Sequence, residues 1–299
     1  MSLPPLYKYL DVQGANLTLT NRNFKHAKPS SFNDTEELTI RSIFPESDAD
    51  ALRQIEDGFT DALMRHLDDP PTCLNIDMRK KVELLQAVFK ANPDAANRVK
   101  EATAKGTAPE IFNVDQMTQR NAAYVDEINE HMQGFRILCV STLNDSEQMW
   151  SRYGQEHQGA VLRILPNIKK DSKYQLFRPV VYREKRPPLY DSAVSFTEAS
   201  LFGNQEARIK AAMETIIYSK ILEWEYESEY RLAIPVLPGD YDWTLMPYHP
   251  EEITELYFGA EARADFKSNI IGLAKATNPQ IGIYQMSHYA CGNLFARAL

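Results

Sequence analysis

Phe135-Arg136-Ile137-Leu138-Cys139-Val140-Ser141 follows Gly134 as an apolar run with the length and composition of a buried β-strand. Downstream of it, Asp145 to Tyr153 reads as a short helix, and Gly159–Leu165 and Phe177–Tyr182 as further strands. Ala207 to Leu222 places Ile209, Met213, Ile216, Ile217 and Ile221 on one helical side. Tyr226–Val236 reads as a strand, Glu255–Phe258 as a short strand, Ala260–Ala276 as a helix and Ile281–Met286 as a last strand. Upstream, Leu6–Leu10 is a strand, and Leu17–Phe24 fits either a strand or a short helix. Pro29 to Asp34 carries turn chemistry.

From Ser47 to Met132 the period changes. Leu52, Ile55, Phe59, Leu63 and Leu67 recur at helical spacing, and Ser47 or Asp48 supplies an N-cap. Pro70-Pro71 stops that helix, Val82, Leu85 and Phe89 mark a second that Pro93 ends, and a third runs from about Val114 to Met132. The expected architecture is therefore α+β. A single domain over 1–299 holds a mixed sheet built from N- and C-terminal segments, with a helical insertion or subdomain over 47–132.

The chain of 299 residues has the charged and apolar fractions of an ordinary globular protein, which excludes disordered, collagen-like and coiled-coil classes. Its net charge of −8 gives no bulk footprint for nucleic-acid phosphates. Three scattered cysteines, Cys73, Cys139 and Cys291, form no C-x-x-C pair, and Cys139 reads as a buried structural thiol. Residues 1–10 lack an apolar signal core, and no apolar stretch approaches the roughly 20 residues of a membrane span, so a cytoplasmic protein is expected.

Four clusters carry chemistry. In Trp224-Glu225-Tyr226-Glu227-Ser228-Glu229-Tyr230-Arg231, strand alternation puts Glu227, Glu229 and Arg231 on one face. Buried there, they need pairing: Arg231 neutralises one carboxylate and the other is left as a general base or electrostatic partner. The competing reading is a solvated charge ladder on an edge strand. In Met149–Gly159, Trp150 and Tyr153 share a helical face and His157 follows in a glycine-flanked loop. This suits ring stacking plus a hydrogen bond, or plain packing of the helix on the sheet. Phe32, Asn33 and Asp34 form a polar turn, and Lys8 sits between Tyr7 and Tyr9 on the first strand. No metal is expected. His26 with Asp34 and Glu36, or His157 with Glu156, lacks ligand spacing. Walker, Rossmann and hydrolase-elbow signatures are missing from the sequence.

In this order, Leu6–Tyr9 (L-Y-K-Y), Ser30–Asp34 (S-x-F-N-D), Cys139–Ser141, Met149–Gly159 (M-W-x-x-Y-x-x-x-H-x-G), Trp224–Arg231 (W-x-x-E-x-E-x-R) and Tyr257-Phe258-Gly259 resemble a large, mostly bacterial family of unknown function. The resemblance spans nearly the whole chain, least in 47–132, and departs at Thr35, where many members carry proline. More distantly the chain is similar to ADP-ribosyltransferases. These place a basic residue on an early strand, Ser-Thr on a middle strand and E-x-E on a later one. Here the corresponding residues are Lys8, Ser141-Thr142 and Glu227-Ser228-Glu229, with lysine where arginine or histidine is usual. The similarity implies an NAD-consuming transferase or glycohydrolase. NAD would be the small-molecule nucleotide substrate, with Glu229 and Glu227 catalytic and Lys8, Ser141, Trp150, Tyr153 and Arg231 binding it. Glu229 would stabilise the oxocarbenium-like sugar, and Arg231 would bind phosphate or hold Glu227 ionised. Two other readings stand beside it. One is a metal-dependent nuclease or phosphoesterase using Asp34, Glu227, Glu229 and His157. The other is a ligand-sensing or partner-binding module without turnover.

Overall fold

Alternation and capping account for the elements of the first segment. Leu6–Leu10 (β1) buries Leu6 and Tyr9, and Asp11 then caps a helix at Val12–Asn21 (α1) by accepting from the Gly14 amide. Arg22, in the left-handed region, ends that helix and turns the chain into Asn23–Ala27 (β2). The ambiguous 17–24 stretch is thus the end of a helix and the start of a strand. The computed structural model describes residues 3–34, 37–105, 114–236, 241–289 and 293–299, so Thr35, Glu36 and Cys291 lie outside the described residues.

The chain divides into two compact units. One consists of residues 38–131 and 186–219. Its helices are Asp48–Arg65 (α2), Ile76–Ala91 (α3), Pro93–Ala104 (α4) and Val114–Met132 (α5), later joined by Ala193–Phe202 (α7) and Gln205–Ile217 (α8). Pro93 does not merely end α3. It opens α4 at a first-turn position, where its missing N–H costs nothing. Phe59, Leu63, Val82, Phe89, Ala96 and Leu201 form this unit's core. The helical unit is therefore larger than the 47–132 segment, because α7 and α8, from 186–219, close it.

The other unit, 1–37, 132–185 and 220–299, holds the main sheet. Its remaining elements are Phe135–Ser141 (β3), Glu147–Tyr153 (α6), Ala160–Ile164 (β4), Arg178–Pro179 (β5), Val181–Arg183 (β6), Ser219–Ile221 (β7), Glu229–Pro235 (β8), Trp243–Pro247 (β9), Ile253–Phe258 (β10), Ala264–Thr277 (α9), Gly282–His288 (β11) and Leu294–Ala298 (β12). The strand order is β12-β11-β10-β4-β1-β3-β2-β9, with β8 also paired to β3 and β5 to β8, while β6 and β7 form a separate pair. β10 and β11 run parallel and the other pairs of the main sheet antiparallel, so the fold is α+β with a mixed sheet.

The sequence-based strand over 226–236 needs correction. Leu222–Glu227 is a 3-10 helix, Ser228 turns the chain with φ of 44°, and the strand begins at Glu229. One sheet face packs Leu6, Leu138, Leu162, Leu232 and Leu256 under α1 and α9. The opposite face carries Tyr9, Val161, Tyr257 and Met286, against which α6 packs Met149 and Trp150. Two strands reach the same edge of β3 at different heights. β1 pairs at Tyr7–Ser141 and β2 at Ala27–Ile137, leaving Leu138 to Val140 opposite a gap in the sheet. Lys8 spans this gap and donates to the Cys139 carbonyl over 3.0 Å. A backbone acceptor with no strand partner is thereby satisfied.

Candidate functional site

A cleft of about 200 Å³ opens at this gap. Tyr7, Lys8 and Tyr9 of β1, Lys25 and Ala27 of β2, and Ile137, Cys139 and Val140 of β3 contribute to its walls. The Phe32-Asn33-Asp34 turn, Met149 and Tyr153 of α6, and Trp224 complete its rim. Glu37, Lys220, Glu227 and Glu229 also line it, and all four are buried.

These charged groups form one network. Lys220 Nζ donates to Glu227 at 2.5 Å and to Glu229 at 3.1 Å, and stands 3.2 Å from Glu37. Arg231, fully buried, donates through Nε to Glu229 at 2.8 Å, through Nη2 to the same carboxylate at 2.9 Å, and also pairs with Glu37. Three carboxylates thus face two cations, with Lys8 on the cleft wall as a third. At this depth ions persist only where each is matched by opposite charge and hydrogen bonds.

The electrostatics follow from burial. Desolvation pushes the Glu229 carboxyl above its ordinary value, Lys220 pulls it back, and Glu227 adds to the upward push. Lys220 is driven above a free lysine: burial disfavours its charge, but the Glu229 and Glu227 carboxylates outweigh that. Burial lowers Arg231 to about 9 and also lowers Lys8. The Cys139 thiol is raised far above its free value by burial and by Glu229, to which it hydrogen-bonds. Cys139 is therefore half-buried at the cleft and joined to the carboxylates rather than closed in the core.

Tyr153 bridges α6 to the network. Its hydroxyl donates to Glu227 Oε1 at 2.7 Å and interacts with the Asn33 side chain, and burial raises its pKa. Ser141 lies opposite Glu229 in the β3–β8 register and is fully buried. Its hydroxyl donates to the Glu227 carbonyl at 2.7 Å and accepts from the Leu143 amide. Thr142 bonds Ser228 through backbone and side chain. The Ser-Thr step thus fixes the 227–229 turn from the neighbouring strand. Strain belongs to that turn: a serine at positive φ costs about 1–2 kcal/mol relative to αR geometry.

Several sequence-derived assignments change. Glu227 and Glu229 converge on Lys220, but from a 3-10 helix and a strand, not from alternate positions of one strand. Arg231 holds Glu229 and Glu37, and the Asp34 charge also supports its guanidinium. Trp150 is fully buried, stacks on His157 and donates to the Asn144 carbonyl. It packs the core beneath α6 and does not line the cleft. His157 is also absent from the cleft lining: its Nε2 lies 2.9 Å from Glu147 Oε1, and its buried Nδ1 has no hydrogen-bond partner. The sequence reading missed Glu37, Lys220, Lys25 and Cys139 as cleft residues, and gave Trp224 no role. Lys220 did carry a signal, a cation inside the apolar stretch Tyr218-Ser219-Lys220-Ile221-Leu222. Trp224 takes Lys220 at 4.9 Å and Arg152 at 4.3 Å against its ring.

The arrangement defines a class: an α+β protein with a sheet cleft floored by a buried carboxylate–cation network. Within it, residues 149–232 match the model of the family described as Protein of unknown function (DUF2971). That segment runs from α6 through Glu227, Glu229 and Arg231. No curated protein and no solved structure matches the chain. Among the described residues no helix is long and apolar enough to cross a membrane.

Proposed function

We propose that the cleft binds a nucleotide of the NAD type and that the protein is an ADP-ribosyltransferase-like enzyme, transferring or hydrolysing ADP-ribose. The observation that carries this reading is the placement of Lys8, Ser141 and Glu229 on the adjacent strands β1, β3 and β8, with Glu227 beside them in the cleft. The reaction breaks the bond between nicotinamide nitrogen and ribose C1′. Nicotinamide leaves with the electron pair, the sugar becomes oxocarbenium-like, and an acceptor oxygen or nitrogen adds to C1′ and loses a proton.

Of the two carboxylates, Glu227 is the better placed to act. Glu229 accepts from Lys220, Arg231 and Cys139, whereas Glu227 accepts from Tyr153 and Lys220. Glu227 would stabilise the sugar cation and take the acceptor's proton. Glu229 would hold Lys220 and Arg231 in place. Lys8 and Lys25 supply positive charge for the pyrophosphate, and Trp224 or Tyr7 a ring face for a base. Lys220 and Arg231 around the carboxylates repel a second cation, which disfavours the metal-dependent nuclease arrangement at this position.

The purified protein should release nicotinamide from NAD, assayed with and without cell lysate as acceptor source, and Glu227→Gln should reduce release by about 100-fold or more. Release by the protein alone indicates hydrolysis, and release only with lysate indicates transfer. One feature favours a second reading: each buried carboxylate of the network has a cationic partner, as in a binding site without turnover. A rise in melting temperature with NAD and no nicotinamide release would establish that reading. Neither release nor a thermal shift would sink both.

A further inference from the structure

Away from the cleft, three side chains converge from distant parts of the sequence. Glu147 stands in the first turn of α6, His157 in the loop after it, and His288 at the end of β11. Their ligand atoms all lie within 4.8 Å of one another. Nε2 of His157 is 2.9 Å from one Glu147 oxygen and Nε2 of His288 is 3.3 Å from the other. Ligand atoms bonded at about 2.1 Å to one first-row divalent ion stand roughly 3.0–3.4 Å apart in octahedral or tetrahedral shells. These two separations are already of that size.

His157 is held firmly. Three consecutive non-glycine residues, Gln155, Glu156 and His157, have φ of 52°, 50° and 63°, so the loop is a left-handed turn that few sequences adopt. The His157 amide donates to the Trp150 carbonyl, its ring lies parallel to the Trp150 indole at 14°, and its carbonyl accepts from Glu261. The loop holds the imidazole with its Nε2 beside Glu147. Glu147 and His288 are exposed, which leaves an entry path from solvent.

We propose that Glu147, His157 and His288 form a binding site for a divalent transition-metal ion of the zinc type. Two imidazoles and one carboxylate are the ligand set such ions take, whereas magnesium and calcium prefer oxygen alone. Three protein ligands leave at least one coordination position open to water or a small anion. None of the three residues lines the nucleotide cleft, so the site stands independently of the function proposed above.

The test is metal uptake by the full-length chain after chelator treatment. Calorimetry with Zn²⁺ should give one ion per chain, Co²⁺ should produce visible d–d absorption, and Mg²⁺ should give no heat. His288→Ala and Glu147→Ala alter exposed side chains, so folding is not at stake. Each should weaken Zn²⁺ binding by about tenfold or more and remove the Co²⁺ bands. His66→Ala, at the separate His66–Asp69–Glu198 cluster, should leave both unchanged. Absence of stoichiometric uptake would overturn the proposal and leave an ordinary imidazole–carboxylate ion pair. So would uptake that survives both variants or is lost in His66→Ala.

Discussion

Glu229 makes its contribution through its neighbours. Its carboxylate accepts from Lys220, from two nitrogens of Arg231 and from the Cys139 thiol, and Glu229, Lys220 and Arg231 are all buried. Removing it takes from the buried Lys220 and Arg231 the acceptor that they share. Breaking a buried ion pair by removing one partner costs about 3–5 kcal/mol, far more than a surface pair contributes. Glu229→Leu, which removes both acceptor oxygens as well as the charge, is therefore expected to lower unfolding free energy by an amount of that order in urea titration. A second change, Arg231→Met, should restore part of the loss, because it removes the unmatched guanidinium. Strict additivity of the two changes would show that they do not share a network. The sequence placed these residues together but misjudged their support. Alternation put Glu227 on one face with Glu229 and Arg231, because it assumes that the strand has already begun. The left-handed Ser228 breaks that assumption, and a serine gives no glycine-like warning of it. Glu37 and Lys220 lay too far from the motif for spacing to link them.

Among the elements, those with strong hydrophobic period were legible and those defined by pairing were not. β1, β3, β4, β10 and α9 bury regular apolar positions and fall close to their sequence-derived limits. β9 and β12 are mostly exposed strands whose order comes from neighbours, and neither was anticipated. α7 shows almost no one-sided pattern, so periodicity could not find it. The Glu147–His157–His288 group illustrates the same limit for sites. Its members are 10 and 131 residues apart, beyond any ligand motif, and only the β11–α6 juxtaposition joins them. What the sequence did signal was the late Tyr257-Phe258-Gly259, whose glycine now has a physical reason. A Cβ at Gly259 would collide with the His157 carbonyl, a backbone group that cannot rotate aside. The Gly259 amide meanwhile donates to the Gly159 carbonyl. Gly259→Ala should force the His157 loop outward at a cost of about 1–3 kcal/mol, the range for overpacking a close-packed site. Thermal unfolding checks this, and an unchanged melting temperature would mean that the loop yields freely.

For the whole molecule, the buried His26 is a titration that reports on global stability. His26 lies on β2, opposite Thr244 of β9, with no solvent contact. Its Nδ1 faces the Phe24 carbonyl at 3.2 Å, and its Nε2 has no hydrogen-bond partner. Burial, with the Lys8 and Lys173 charges adding to it, lowers its pKa from 6.5 to about 4. Between those values the unfolded chain binds a proton that the folded chain refuses. Stability therefore falls as pH drops through the window, and the loss is complete below about 4. A shift of this size corresponds to roughly 3 kcal/mol. Other groups act elsewhere or oppositely. His66, raised by Glu198 and Asp69, changes stability above pH 6.5, and Glu198 and Glu251, both lowered, act below 4.5. Glu229, raised by burial, gains protons on folding and so favours the folded state as pH falls from above 4.5. The signature of His26 is consequently a difference between proteins, not the raw curve. His26→Asn carries no titrating ring, so the unfolding free energy of the native chain minus that of the variant should fall by about 3 kcal/mol from pH 7 to pH 4. A difference that stays flat would place a charged or hydrated histidine inside the sheet.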